Sequence, residues 1–151
     1  MNLIISQHLL NIINYHAEEE YPFESCGFLL GRVESDSRII TLVERASNAK
    51  EGDKRRRFEI TPEEYLKAER QAAKLDLELL GVYHSHPDHP SEPSEHDRKQ
   101  AMPWFSYIIV SVDQGKAGNV QSWRLNEQRN FDEEELKIVS EDSAEQLKGA
   151  V

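Results

Sequence analysis

Gly81-Val-Tyr-His-Ser-His-Pro-Asp-His-Pro-Ser-Glu-Pro-Ser-Glu-His-Asp97 runs from a buried strand through a proline-rich loop into a short helix. Leu79, Leu80, Val82 and Tyr83 are bulky and apolar without helical spacing, which predicts a strand from about Leu77 to His86. Strand side chains alternate faces, so His84 and His86 project from the same side. Pro87, Pro90 and Pro93 forbid regular structure and force a loop. Ser94 then caps a helix reaching about Met102, with Asp97 in its first turn. Two imidazoles and a carboxylate that converge are the ligand type and number of a catalytic zinc, which keeps its fourth position for water.

Outward from this stretch, strands and helices alternate. Leu3-Ile4-Ile5 reads as a short strand, with Ser6 capping an amphipathic helix over residues 7–20 that Pro22 stops. His8 and His16 on that helix read as surface residues without chemistry. Strands are predicted for Cys26 to Val33, Arg38 to Ala46 and, briefly, Phe58-Glu59-Ile60. Thr61, Pro62 and Glu64 mark the start of a second helix ending near Leu75. Trp104 to Val112 reads as a central strand that Gly115 and Gly118 turn back into Val120 to Leu125. The pattern is that of one α/β domain with a mixed sheet flanked by helices, over residues 1–128. Residues 129–151 read as an acidic, partly disordered extension in which Glu134 to Val139 adds an edge strand or a helical turn and the last ten residues fray.

Composition narrows the function classes. A net charge of -10 argues against a nucleic-acid binder, which needs a basic footprint, and against adhesion to anionic membranes. Lys54-Arg55-Arg56-Arg57 is the local exception and reads as a solvated loop, with a docking edge for an acidic partner as the alternative. Cys26 is the single cysteine; it excludes an intrachain disulfide and reads as a small buried apolar residue. With no basic segment followed by a long apolar run at the N-terminus, a cytoplasmic protein is expected.

Taken alone, a histidine is usually a surface or satisfied core residue, and Ser-x-x-Asp is usually a helix cap. The ordered set is rarer. His84-Ser85-His86-Pro87, then six residues, then Ser94-x-x-Asp97 resembles the zinc-binding motif of the JAMM (MPN+) metalloprotease family. The resemblance covers roughly residues 3–125, and it implies a cytidine-deaminase-like α/β fold with one zinc per chain held by His84, His86 and Asp97. Tyr21-Pro22-Phe23-Glu24-Ser25-Cys26-Gly27 resembles the family segment that carries the catalytic glutamate, which implies that Glu24 is the general base and acid. It also implies that Ser94 stabilises the oxyanion as well as capping its helix. His89 and His96 match no motif position and read as rim residues, His89 being at most a weak adventitious ligand.

The compact length resembles standalone prokaryotic members, associated with ubiquitin-like sulfur-carrier proteins ending in Gly-Gly. The implied activity is hydrolysis of the amide bond after that terminal glycine, by a monomer or homodimer. Two alternatives stand beside it. One is a scaffold that binds proteins without catalysis, and the other is a hydrolase of small peptides or amides in cysteine or cofactor metabolism.

Overall fold

The computed structural model describes residues 2–141; residues 142–151, where fraying is expected, lie outside that range. The elements are β1 (Asn2–Ser6), α1 (Gln7–Glu20), β2 (Cys26–Glu34), β3 (Ser37–Ala46), α2 (Pro62–Lys74), β4 (Glu78–Pro87), α3 (Glu95–Gln100), β5 (Ser106–Asp113), β6 (Lys116–Leu125), β7 (Phe131–Glu134) and β8 (Leu136–Val139). Helix starts follow their caps: Ser6 accepts from the Leu9 amide, and Thr61 accepts from the Glu64 amide ahead of Pro62.

Eight strands form one sheet in the order β7-β6-β5-β4-β2-β3-β1-β8. β4 runs parallel to β5 and antiparallel to β2, so the sheet is mixed, as expected. Period-two alternation separates two cores. Leu29, Ile108, Val110 and Val112 pack towards α1 with its Leu9, Leu10, Ile13 and Ala17. Phe28, Leu30, Val82 and Tyr107 pack on the other side with Ala68 and Ala72 of α2. Each leucine or isoleucine buried this way contributes about 1.5–3 kcal/mol, so neither face can be turned to solvent without loss of the fold. At Gly81 a Cβ would lie 1.9 Å from the Ser106 carbonyl oxygen, so the close approach of β4 to β5 admits only glycine there.

Four expectations are corrected. Phe58-Glu59-Ile60 is not a strand: β2 and β1 already flank β3 in the sheet, and the segment instead packs Phe58 into the core beside His84. β5 starts at Ser106 rather than Trp104; the Trp104 ring is exposed and lies against the Arg38 guanidinium. His16 is buried, because it extends the apolar stripe of α1 one turn beyond Ile13, and its Nδ1 lies 2.7 Å from the Tyr83 hydroxyl. Finally, the extension gives the sheet both edges: β8 is the edge strand allowed for within Glu134 to Val139, whereas β7, over Phe131–Glu134, was not expected. Charged side chains suit edge strands, where one side of the backbone faces water.

Candidate metal centre

Register brings the site together. β2 and β4 are antiparallel with Cys26 opposite His84, so the residues just before Cys26 run alongside Ser85 and His86. Ser85 fastens this approach: its amide donates to the Ser25 carbonyl at 3.2 Å, and its hydroxyl accepts from the Ser25 amide at 2.8 Å. Glu24 is thereby carried to the end of β4, with its own amide bonded to the Lys54 carbonyl at 2.7 Å. The third component arrives on α3. Ser94 and Asp97 form a reciprocal capping box, with Asp97 N–H donating to Ser94 Oγ and Ser94 N–H to Asp97 Oδ2.

His84, His86 and Asp97 converge as expected, each offering a ligand atom within 4.8 Å of the others, and all three are buried. His86 Nε2 lies 3.1 Å from Asp97 Oδ2, and His84 Nε2 lies 3.9 Å from Asp97 Oδ1. The second contact of His86 fixes its chemistry. Its Nδ1 is 2.7 Å from the Pro90 carbonyl oxygen, which can only accept, so Nδ1 carries the proton. With its one hydrogen on Nδ1, a ring acting as a ligand turns a lone pair from Nε2 towards a carboxylate oxygen. Two acceptors facing each other are favourable only with a proton or a cation between them, so this donor set fits a metal ion. The loop that supplies Pro90 is itself held, through Ser91 to Gln121 and Trp123 of β6.

Electrostatics differ from one carboxyl to the other. Burial alone would raise Asp97, but the imidazoles and the Ser94 amide outweigh it and hold Asp97 well below the usual carboxylate range. Burial lowers His84, keeping its imidazole neutral and available as a ligand. Glu24 goes the other way: burial pushes its carboxyl up to about 9. Neither Glu24 oxygen has a hydrogen-bond partner among the described residues; His84 Nδ1 is 3.4 Å from Oε1. Buried carboxyls without partners are uncommon and mark sites built for something other than folding.

Sequence reasoning missed several supporting residues. Phe58 stacks on His84 with centroids 4.4 Å apart, and Ser25 and Ser85 latch the Glu24 segment. The small residue between the two histidines was the available signal for that latch. Cys26 is buried and unpaired, as expected, and burial pushes its thiol up to about 12. A small cavity of about 110 Å³ is lined by His84, Asp97 and Phe58, and two larger ones lie beside the centre. One of about 650 Å³ is lined by Glu24, Cys26, Asn48 and Lys54. The other, of about 810 Å³, is lined by Ser94, His89, His96 and the exposed Arg55, Arg56 and Arg57.

The chain is similar to known proteins over most of its length. Residues 6–126 match the family described as prokaryotic homologs of the JAB domain. A desampylase of Pyrococcus furiosus is 33% identical over 140 residues, covering 92% of this chain and 91% of that protein. A CysO-cysteine peptidase of Mycobacterium tuberculosis is 30% identical over 128 residues, covering 82% of each. A solution structure of a Desulfitobacterium hafniense protein superposes with a TM-score of 0.81 at 30% identity, covering 92% of this chain and 94% of the other. No helix among the described residues is long and apolar enough to cross a membrane.

Proposed function

We propose, since the chain belongs to the prokaryotic homologs of the JAB domain, that it is a zinc-dependent peptidase or isopeptidase acting after the C-terminal glycine of a ubiquitin-like or sulfur-carrier protein. The observation that carries this reading is the unpartnered, buried carboxyl of Glu24 beside the convergent His84, His86 and Asp97. The names of the relatives, a desampylase and a CysO-cysteine peptidase, support the substrate class.

Zinc held by His84, His86 and Asp97 would supply Lewis acidity at the scissile carbonyl and lower the pKa of the attacking water. Glu24 moves the proton. A carboxyl without competing hydrogen bonds is free to take a proton from the nucleophile and return it to the leaving nitrogen. Ser94 accepts from the Asp97 amide, which leaves its hydroxyl proton unused and able to donate to the developing oxyanion. A Gly-Gly tail has no side chains to obstruct it and can lie extended in the cavities beside Asn48, Lys54 and Ser94.

The test is Glu24→Gln, assayed on a Gly-Gly carrier protein bearing one extra C-terminal residue. Zinc content should stay unchanged while hydrolysis falls about 10²–10⁴-fold. A fully active variant would take Glu24 out of the mechanism, and a zinc-free wild type with no cleavage would favour a binding scaffold.

A further inference from the structure

We propose that Glu24 and His89 hold a second divalent cation beside the first, and that its binding inhibits the enzyme. This rests on the reading of His84, His86 and Asp97 as the first cation site. Glu24, His86 and His89 form a second triad that shares His86 with the first, with one ligand atom from each within 4.8 Å of the others. The His89 ring stacks on His86 with centroids 4.3 Å apart, so it lies against the face of a ligand of the first site.

Proton placement makes His89 a ligand. Its Nδ1 is 2.8 Å from the Pro87 carbonyl oxygen, an acceptor only, so Nδ1 carries the hydrogen and Nε2 keeps a lone pair. The same device, a backbone carbonyl fixing the tautomer, orients His86 through Pro90. Glu24 offers one ligand atom within 4.8 Å of a His89 ring nitrogen, and both its oxygens are buried and without hydrogen-bond partners among the described residues. A carboxylate and an imidazole suit zinc or cobalt far better than magnesium. Ligand bonds of about 2.0–2.2 Å at a tetrahedral ion set donor atoms about 3.3–3.6 Å apart, so the Glu24 and His89 side chains must draw together from a separation of up to 4.8 Å.

The second site is the weaker one. His86 is committed to the first cation, so two protein ligands remain, and water completes the shell. The first cation repels the second, as do Arg55, Arg56 and Arg57, which line the same groove as His89. The site therefore fills only at metal excess. Once Glu24 is a ligand its lone pairs are occupied, and it no longer accepts the proton of the nucleophile. Excess metal thus switches off hydrolysis without displacing the first ion.

Equilibrium dialysis against buffered zinc, with carrier-fusion cleavage measured on the same samples, tests this in wild type, His89→Ala and His89→Asn. Wild type should pass from one zinc per chain to two as zinc rises, and lose activity at least about tenfold in the same range. Both variants should stop at one zinc, and whatever activity each shows at low zinc should persist at excess. Wild type that saturates at one zinc, or variants inhibited with the same zinc dependence, would overturn the proposal. A chain that takes up no zinc at any concentration removes the first site instead, and with it the reading on which the second depends.

Discussion

The two ends of β4 bury polar groups in opposite ways. Where the strand begins, the Arg38 guanidinium is enclosed, donating to Ser106 Oγ at 2.5 Å and to the Leu80 carbonyl at 3.0 Å, with the Trp104 ring 4.2 Å away. Burial lowers it to about 10, so it stays charged at neutral pH. Where the strand ends, the Glu24 oxygens and His84 Nδ1 are as deeply buried and have no hydrogen-bond partners among the described residues. A satisfied buried charge serves the scaffold, whereas an unsatisfied one costs stability and is retained where a ligand or a proton will occupy it.

The comparison is broken most forcefully at its satisfied end. Arg38→Ala leaves the Ser106 hydroxyl and the Leu80 carbonyl without this donor and opens a cavity, so urea unfolding should show a loss of about 2–5 kcal/mol. The kcat of the protein that remains folded should stay within about twofold of wild type, because no reacting group is touched. A large fall in kcat with unchanged stability would make Arg38 functional and erase the distinction.

Ser85→Ala probes the link between the ends, with a smaller effect. It strips the Ser25 amide of its acceptor beside Glu24, at a cost of about 1–3 kcal/mol. Zinc affinity should hold, since His84 and His86 stay on β4, while kcat falls about tenfold as Glu24 loses its placement. Equal losses in zinc affinity and kcat would mean that Ser85 supports the strand rather than the base.

Much of this was legible in the residues, for a local reason. The histidine spacing on a strand and the Ser94 capping box are short-range features, and they alone place His84, His86 and Asp97 together. Glu24 was reachable only through the family resemblance, because its approach depends on β2–β4 register across some sixty residues, a distance at which sequence pattern carries no pairing information. The same long range hid β7 in an acidic tail, while β8 was allowed for as an edge strand. His16 was misread because a histidine in an apolar stripe looks amphipathic until the Tyr83 hydroxyl that satisfies it is known. Phe58 has strand propensity but meets no free sheet edge, and tertiary context overrode the propensity.

The smallest predicted effect sharpens the contrast without any catalysis. In metal-free protein the Glu24 carboxyl sits at about 9, above its ordinary value of 4.5, so its folded form favours the proton. A raised pKa gives a stability contribution that is complete below the unfolded value and is lost as pH climbs through the folded one. Metal-free wild type should therefore weaken between about pH 5 and 9, and Glu24→Gln, which cannot ionise, should not. At pH 8 the variant should be the more stable, visible as a higher Tm, and the gap should close near pH 5. His16, lowered to about 4 by burial, costs stability only as pH falls below its usual 6.5, and it does so in both proteins, so it cancels from the difference. Thermal melts in chelator at the two pH values measure the gap. Identical melting at both would mean that Glu24 is as well satisfied as Arg38, and that the end of β4 holds no group kept in reserve for chemistry.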